Sequence, residues 1–276
     1  MSENGKKPMM TRRTFVKVAG LAGTGLALGI GYKVMSGPGV PYTDAAFAPN
    51  PFLRIETDGS ITVMVGKAEM GQGVATSLPM LVAEELEVPF ERVAFAFAPA
   101  HPAYGAALGM QVTGGSTSIV EMWEVLREAG ATAREMLREA AAQEWDVPAA
   151  DVVMRDAMAH HPDGSTLAYA DLAVAAASVA VPANVPLKDP SEFRIIGLPQ
   201  PRLDVPQKTT GQAIFGVDAG PADARVAMVA RCPVFGGAVR SFDATAALAM
   251  PGVQEVLEIS SGVAVLADGY WPALKG

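Results

Sequence analysis

Two short polar stretches of this 276-residue chain hold the residues best suited to gripping a ligand. The first, Gly66-Lys67-Ala68-Glu69-Met70-Gly71-Gln72-Gly73, leads from a strand-like segment into a helix-like one. Glycines at 71 and 73 let backbone N–H groups approach a bound anion, and a helix N-terminus favours phosphate. Gln72 between them offers an amide donor and an amide acceptor. The second stretch is Gln111-Val112-Thr113-Gly114-Gly115-Ser116-Thr117-Ser118, again just before a helix. Thr113, Ser116, Thr117 and Ser118 supply hydroxyls there, and Gly114 and Gly115 supply backbone freedom. Two such loops at two helix starts are able to hold one large, polar, phosphate-bearing ligand from both sides. The plain structural alternative is a pair of ordinary turns, with Ser116 or Ser118 as N-cap and Glu121 closing a capping box on Ser118. Neither stretch has the Walker spacing or the Rossmann glycine spacing with its later acidic residue.

The elements around the loops follow from hydrophobic period and turn residues. Residues 52–65 read as two alternating strands joined at Asp58-Gly59. Val74, Leu78, Leu81 and Val82 recur at helical spacing over 74–86, and Val88-Pro89 ends that helix. Residues 93–97 read as a strand. A long helix starts near Ser116 or Ser118, with Ile119, Met122, Trp123, Leu126, Ala133, Met136 and Leu137 on one face. Val147-Pro148 stops it. Residues 151–160 suggest one hairpin closing at His161-Pro162-Asp163-Gly164, and 169–179 a small Ala-rich helix. Six prolines in 181–206 mark a linker wrapping a surface. A second unit follows, with strands over 213–217, 226–231, 253–259 and 263–266 and a helix over 244–249. Helices and strands mix without regular alternation, so the expected class is α+β. The divisions are 1–48, 49–180, a linker at 181–206, and 207–276.

Half of the residues are hydrophobic and 18% charged, as in a globular chain. The net charge of −8 divides into +4 on residues 1–48 and −12 on the remainder. An acidic body argues against a nucleic-acid partner. One cysteine, Cys232, excludes a disulfide framework, a cysteine zinc site or an iron–sulfur cluster built within this chain. Residues 1–48 resemble an address. Thr11-Arg12-Arg13-Thr14-Phe15-Val16-Lys17 precedes an apolar run holding five glycines, the order of a twin-arginine export signal. Ala46-Phe47-Ala48 offers a small-x-small cleavage site; an uncleaved N-terminal anchor is the alternative. Export in the folded state points to the periplasm and to a cofactor acquired beforehand.

The two loops together with the second unit resemble the molybdenum-binding large subunit of the xanthine dehydrogenase and aldehyde oxidase family. The likeness is to its branch of isoquinoline 1-oxidoreductase beta subunits and periplasmic aldehyde dehydrogenases. Glu69-Met70-Gly71-Gln72-Gly73 is similar to the molybdopterin-contacting loop, and Thr113-Gly114-Gly115-Ser116-Thr117-Ser118 to the second cofactor loop. Lys208-Thr209-Thr210-Gly211-Gln212-Ala213-Ile214-Phe215-Gly216-Val217-Asp218 resembles the opening of the α/β hammerhead domain. The resemblance implies Mo-molybdopterin cytosine dinucleotide, whose dithiolene binds the metal without a protein ligand. It implies hydroxylation of an aldehyde or an N-heteroaromatic ring by water-derived oxygen. Electrons would leave through a small 2Fe–2S subunit, with a cytochrome c as a candidate onward acceptor. The family's general-base glutamate and its Gly-rich Mo-site loop have no counterpart here and are expected beyond residue 276. The chain is thus expected to be an N-terminal portion, inactive alone. A non-catalytic exported relative, acting as a partner or remnant, is the alternative.

Other polar residues read as structural. Glu69, Glu84, Glu85 and Glu87 are expected to be solvated charges around a helix, and His160 and His161 to be surface residues of a turn. His101 is expected to be structural, and Cys232 a small buried group. Met70, Met110, Trp123 and Trp271 are expected in the core.

Overall fold

The computed structural model describes residues 46–105, 109–216, 218–221 and 223–276. Residues 1–45 of the expected export segment lie outside the described residues, and its last residues, including Phe47 of the suggested cleavage site, belong to the first strand. The chain divides into a unit running to Gly211 and a unit Gln212–Gly276.

In the first unit, β1 (Phe47–Asn50), β2 (Leu53–Ile55), β3 (Ile61–Val65) and β4 (Val93–Phe97) lie in that order in one sheet. β1–β2 and β2–β3 are antiparallel, and β3–β4 is parallel. The β2–β3 turn closes as Asp58-Gly59 suggests: the Ser60 N–H donates to the Asp58 carboxylate at 2.8 Å. The parallel β3–β4 pair requires a crossover, and α1 (Val74–Leu86) provides it. α1 is buried on nearly every side, which is why its apolar residues are not confined to one stripe. It packs against α2 (Ser118–Trp145), and the two helices meet at Gly130. A Cβ there would lie 2.6 Å from the Val82 carbonyl oxygen, so only glycine permits this approach. Leu78, Leu86, Met122, Leu126 and Leu137 fill the space between helices and sheet. Each contributes roughly 2 kcal/mol by leaving water.

The segment after α2 differs from the expected single hairpin. β5 (Val153–Arg155), β6 (Met158–His160) and β7 (Thr166–Ala168) form a three-stranded antiparallel meander, followed by α3 (Tyr169–Ala176). The β5–β6 turn uses Asp156 and Ala157, both at positive φ (55° and 62°), without the Asn-Gly pair that usually signals such a turn. Tertiary bonds stabilise it: the Ala157 N–H donates to the Glu87 carbonyl, and the Ala157 carbonyl accepts from the Tyr169 N–H.

Residues 186–196 are bonded to α1 and α2, and the groups that hold them correct the expectation for Glu84 and Glu85. Both side chains are buried. One Glu84 oxygen accepts from the Lys188 ammonium at 2.5 Å; the other accepts from the backbone N–H groups of Arg194, Ile195 and Ile196 at 2.7–3.0 Å. Burial by itself would raise the Glu84 carboxyl, but Lys188 and the three N–H donors outweigh it and hold it below its ordinary range. Glu85 accepts from Arg127 Nε at 2.7 Å and from the Lys188 N–H, and pairs with Arg134. The same arginines donate onward to the linker carbonyls of Lys188 and Pro186. Carboxylates this deep persist only when every oxygen is bonded. The linker ends in a short helix, α4 (Val205–Thr209).

The second unit contains β8 (Val226–Ala230), α5 (Thr245–Leu248), β9 (Val253–Ile259), β10 (Gly262–Ala267) and α6 (Tyr270–Lys275). Its sheet has the antiparallel order β8-β10-β9. The strand expected over 213–217 is absent at 213–216. The Phe215 N–H instead closes a turn on the Asp218 carboxylate at 3.0 Å. Trp271 is 63% exposed rather than in the core, with the Lys275 ammonium over its ring. No helix of the described residues is long and apolar enough to cross a membrane.

Candidate functional site

The two polar loops, 45 positions apart in sequence, lie side by side. One leaves the end of β3 and the other enters α2. The Ala68 N–H donates to Thr113 Oγ1 at 2.8 Å. Lys67, only 2% exposed, reaches across with its ammonium to the Val112 carbonyl at 2.8 Å and to Glu121 Oε2 at 2.5 Å. A lysine buried to this degree needs such partners, because an unpaired ammonium would not stay charged there. Burial would raise the Glu121 carboxyl, but the Lys67 ammonium and the Thr117 hydroxyl hold it below its usual range. Glu121 is therefore committed to Lys67 and does not close a capping box on Ser118. The N-cap of α2 is Thr117, which makes no side-chain cap; its hydroxyl donates back to the Gly114 carbonyl at 3.1 Å.

The first loop corrects the expectation for Glu69. Its Oε1 accepts from the Gly71 and Gly73 N–H groups at 2.8 and 2.9 Å, and its Oε2 accepts from the Ala75 N–H at 2.9 Å. The N-terminus of α1 thus already holds an anion, and that anion is the chain's own carboxylate. Desolvation pushes this carboxyl up, but the three N–H donors and Arg202 prevail and keep it below its usual range. Gly73, the N-cap, sits at φ 89°, a left-handed conformation that glycine adopts without strain. The Gln72 side chain folds back: its Nε2 donates to the Ala68 carbonyl at 2.7 Å, and its Oε1 accepts from the Met70 N–H at 2.6 Å.

Of the residues singled out in the sequence, Gly71, Gln72, Gly114, Gly115 and Ser116 are exposed. Gly73, Thr113 and Thr117 are half-buried, and Ser118 is buried as the first residue of α2. Space in front of Gly71, Gly73 and Gly114 is open, with no atom within 4 Å of where a Cβ would stand. Met70 and Met110 are not core residues. Met70 is 71% exposed, and with the exposed Val112 they give the loops an apolar rim. His101 caps a short turn, its Nδ1 accepting from the Ala103 N–H. His161 pairs with Asp163 in its turn. Cys232 is half-buried. No group of three or more His, Cys, Asp or Glu side chains among the described residues is arranged to hold a metal.

Sequence reasoning missed Arg202 and Asp204, and it gave Lys67 and Glu121 no part in joining the two loops. Arg202 comes from the linker, 131 positions beyond Gly71, and donates to the Gly71 carbonyl at 3.0 Å. Only Lys67 carried a local signal, as a lysine directly after the glycine that closes a strand.

Residues 10–219 match the molybdopterin cofactor-binding domain family. The chain is 33% identical to the beta subunit of isoquinoline 1-oxidoreductase from Brevundimonas diminuta, over 93% of this chain and 38% of that protein. It is 32% identical to the membrane-bound pyrroloquinoline-quinone aldehyde dehydrogenase of Gluconacetobacter polyoxogenes, over 84% of this chain and 31% of that one. It is 28% identical to a nicotinate dehydrogenase subunit from Pseudomonas putida, over 81% of this chain and 19% of that one. The chain therefore spans less than two fifths of the length of each of these relatives. It belongs to the molybdopterin cofactor-binding family, that of the molybdenum-binding subunits of xanthine dehydrogenase and aldehyde oxidase type.

Proposed function

We propose that this chain is the pterin-holding portion of a molybdenum hydroxylase that oxidises aldehydes or N-heteroaromatic rings. The carrying observation is the direct joining of the two loops, Ala68 to Thr113 and Lys67 to both Val112 and Glu121. That junction makes one continuous polar surface from two segments that the sequence separates. The surface suits a molybdopterin cytosine dinucleotide. It has open space before three glycines, exposed backbone, and a second helix start that no side chain caps. Because Glu69 occupies the start of α1, the diphosphate is assigned to the second loop, with Gly114, Gly115, Ser116 and Thr117. Gly71, Gln72 and Gly73 face the pterin, while Thr113 and Ser118 build the frame. When bound, the group supplies the oxygen-transfer and two-electron chemistry, and its dithiolene holds the metal. The chain's own part is to bind and orient it.

In the proposed reaction the C–H bond of an electron-poor carbon is replaced by a bond to water-derived oxygen; two protons are released, and two electrons leave to a separate 2Fe–2S subunit and onward to a cytochrome c. Names of relatives that include isoquinoline, aldehyde and nicotinate support this substrate range. Residues 49–180 with the linker form the pterin-holding region, and 207–276 open a hammerhead domain. The arginine pair at 12–13 supports export to the periplasm.

The test is metal and cofactor analysis of the chain matured in a host that makes the dinucleotide cofactor. Stoichiometric molybdenum with a pterin and cytidine monophosphate on hydrolysis is the expected result. A protein that binds pyrroloquinoline quinone instead would overturn the molybdopterin reading, and one that binds neither group would favour a non-catalytic relative.

A further inference from the structure

We infer that Arg202, oriented by Asp204, is a positioning residue that sets the first loop in the shape its pterin ligand requires. The inference rests on the pterin-holding reading above. Arg202 lies in the linker, outside both loops, yet its guanidinium spans two groups of the first loop. Its Nη1 donates to the Gly71 carbonyl at 3.0 Å, and its Nη2 lies 3.4 Å from Glu69 Oε1. Asp204 fixes the fork from behind: Nε donates to Oδ1 at 2.9 Å and Nη2 to Oδ2 at 2.8 Å. Such a two-bond pair restrains rotation as well as distance. Asp204 is buried and also accepts from the Lys208 ammonium at 2.5 Å. The adjacent Leu203 N–H donates to Thr76 Oγ1 at 3.0 Å, stitching the same linker segment to the first turn of α1.

Two physical roles are open to a cation in this place, attraction of an anionic ligand or control of loop shape. Charge decides between them. Arg202 and Lys208 face Glu69 and Asp204, two cations against two carboxylates, so the cluster offers no net charge to a diphosphate. What remains is geometry. Glu69 holds the Gly71 and Gly73 N–H groups from one side, and Arg202 holds the Gly71 carbonyl from the other. The peptide plane between Gly71 and Gln72 is thereby fixed, and with it the direction in which Gln72 leaves the loop. Lysine lacks the planar fork and cannot make the same arrangement.

The experiment uses the full chain, produced in a host that makes the cofactor, as wild type, Arg202→Met, Arg202→Lys and Asp204→Asn. Amide hydrogen exchange of residues 69–75 is measured on each, beside molybdenum and pterin content. In Arg202→Met, exchange at Gly71, Gly73 and Ala75 is expected to rise roughly tenfold, with β4 and α2 unchanged, and cofactor content to fall by a similar factor. Asp204→Asn, a milder change, is expected to shift both readouts in the same direction. Arg202→Lys keeps the charge and is expected not to restore loading. Unchanged exchange at 69–75, an even rise throughout the unit, or faster exchange with full loading would each overturn the inference. Full loading of Arg202→Lys would do so too, by making attraction the cause. An empty wild type would instead overturn the pterin reading itself, and the positioning role with it.

Discussion

The two loops of the candidate site reach similar places by opposite means. The first is closed on its own chain: Glu69 fills the N-terminus of α1, Gln72 folds back, and Arg202 grips the outside. The second is open, with consecutive left-handed residues at Gly115 and Ser116 and no side chain capping α2. A helix start that already holds a carboxylate has no need of phosphate, whereas one without a cap still offers N–H groups and a favourable dipole. Glycine-rich turns before helices are therefore not equivalent anion sites. The residue four places ahead of the cap decides whether the ligand's charge or the protein's own is held.

Lys67 is shared by both loops, so breaking it tests the contrast most severely. In Lys67→Met, Glu121 loses its partner in a mostly buried place, and the tie to the second loop is lost. The expected cost is about 3–5 kcal/mol in urea unfolding followed by circular dichroism. Adding Glu121→Leu removes the orphaned charge and is expected to recover most of that loss. A cost below about 1 kcal/mol for the single variant would mean that the pair behaves as a surface salt bridge.

Glu69→Gln separates the loops instead of breaking both. It is expected to cost about 1–2 kcal/mol, since three N–H donors lose a charged acceptor. Faster hydrogen exchange should stay within 69–75 and leave 113–118 unchanged. The pH dependence follows from the sign of the shift. The Glu69 carboxyl lies below its ordinary value of 4.5 in the folded protein, so the unfolded chain binds the proton more readily. Its stabilisation is complete above that pH and fades as pH falls through the lowered value. Thermal midpoints of wild type and Glu69→Gln should therefore converge on acidification below 4.5. A difference that persists undiminished at strongly acidic pH would assign the effect to packing.

The contrast between the loops also marks how far the sequence was legible. β3, α1, β4 and α2 were readable because each has a clean period and a proline, glycine or polar stop. Both loops were readable from their glycines and hydroxyls. Arg202 was not, because its partners in the first loop stand 131 and 133 positions away and no local pattern marks it. Glu84 and Glu85 misled for the same reason. Their counter-charges Lys188, Arg127 and Arg134 come from other segments, and an acidic pair at a helix end ordinarily faces water. The turn at Asp156-Ala157 was hidden because tertiary bonds, rather than turn chemistry, hold its positive φ values. The apolar run at 213–217 suggested a strand, yet such a run shows only what can be buried, and pairing needs a neighbour.

The smallest effect tests the openness of the second loop and has the opposite sign. Ser116 holds φ at 57°, a region where a side chain other than glycine is strained by about 1 kcal/mol. Its side chain is exposed and no bond in the loop depends on it. Ser116→Gly relieves that strain but also frees the unfolded chain, so the net gain is expected to be only about 0.5 kcal/mol. Strain kept at an exposed position is often bound to function, which here means a hydroxyl presented to the ligand. Thermal unfolding and cofactor content of the same variant read the two roles separately. A slightly raised midpoint with reduced pterin content would place the Ser116 hydroxyl on the ligand. A raised midpoint with full content would leave the backbone of Gly114 and Gly115 as the gripping element of the second loop.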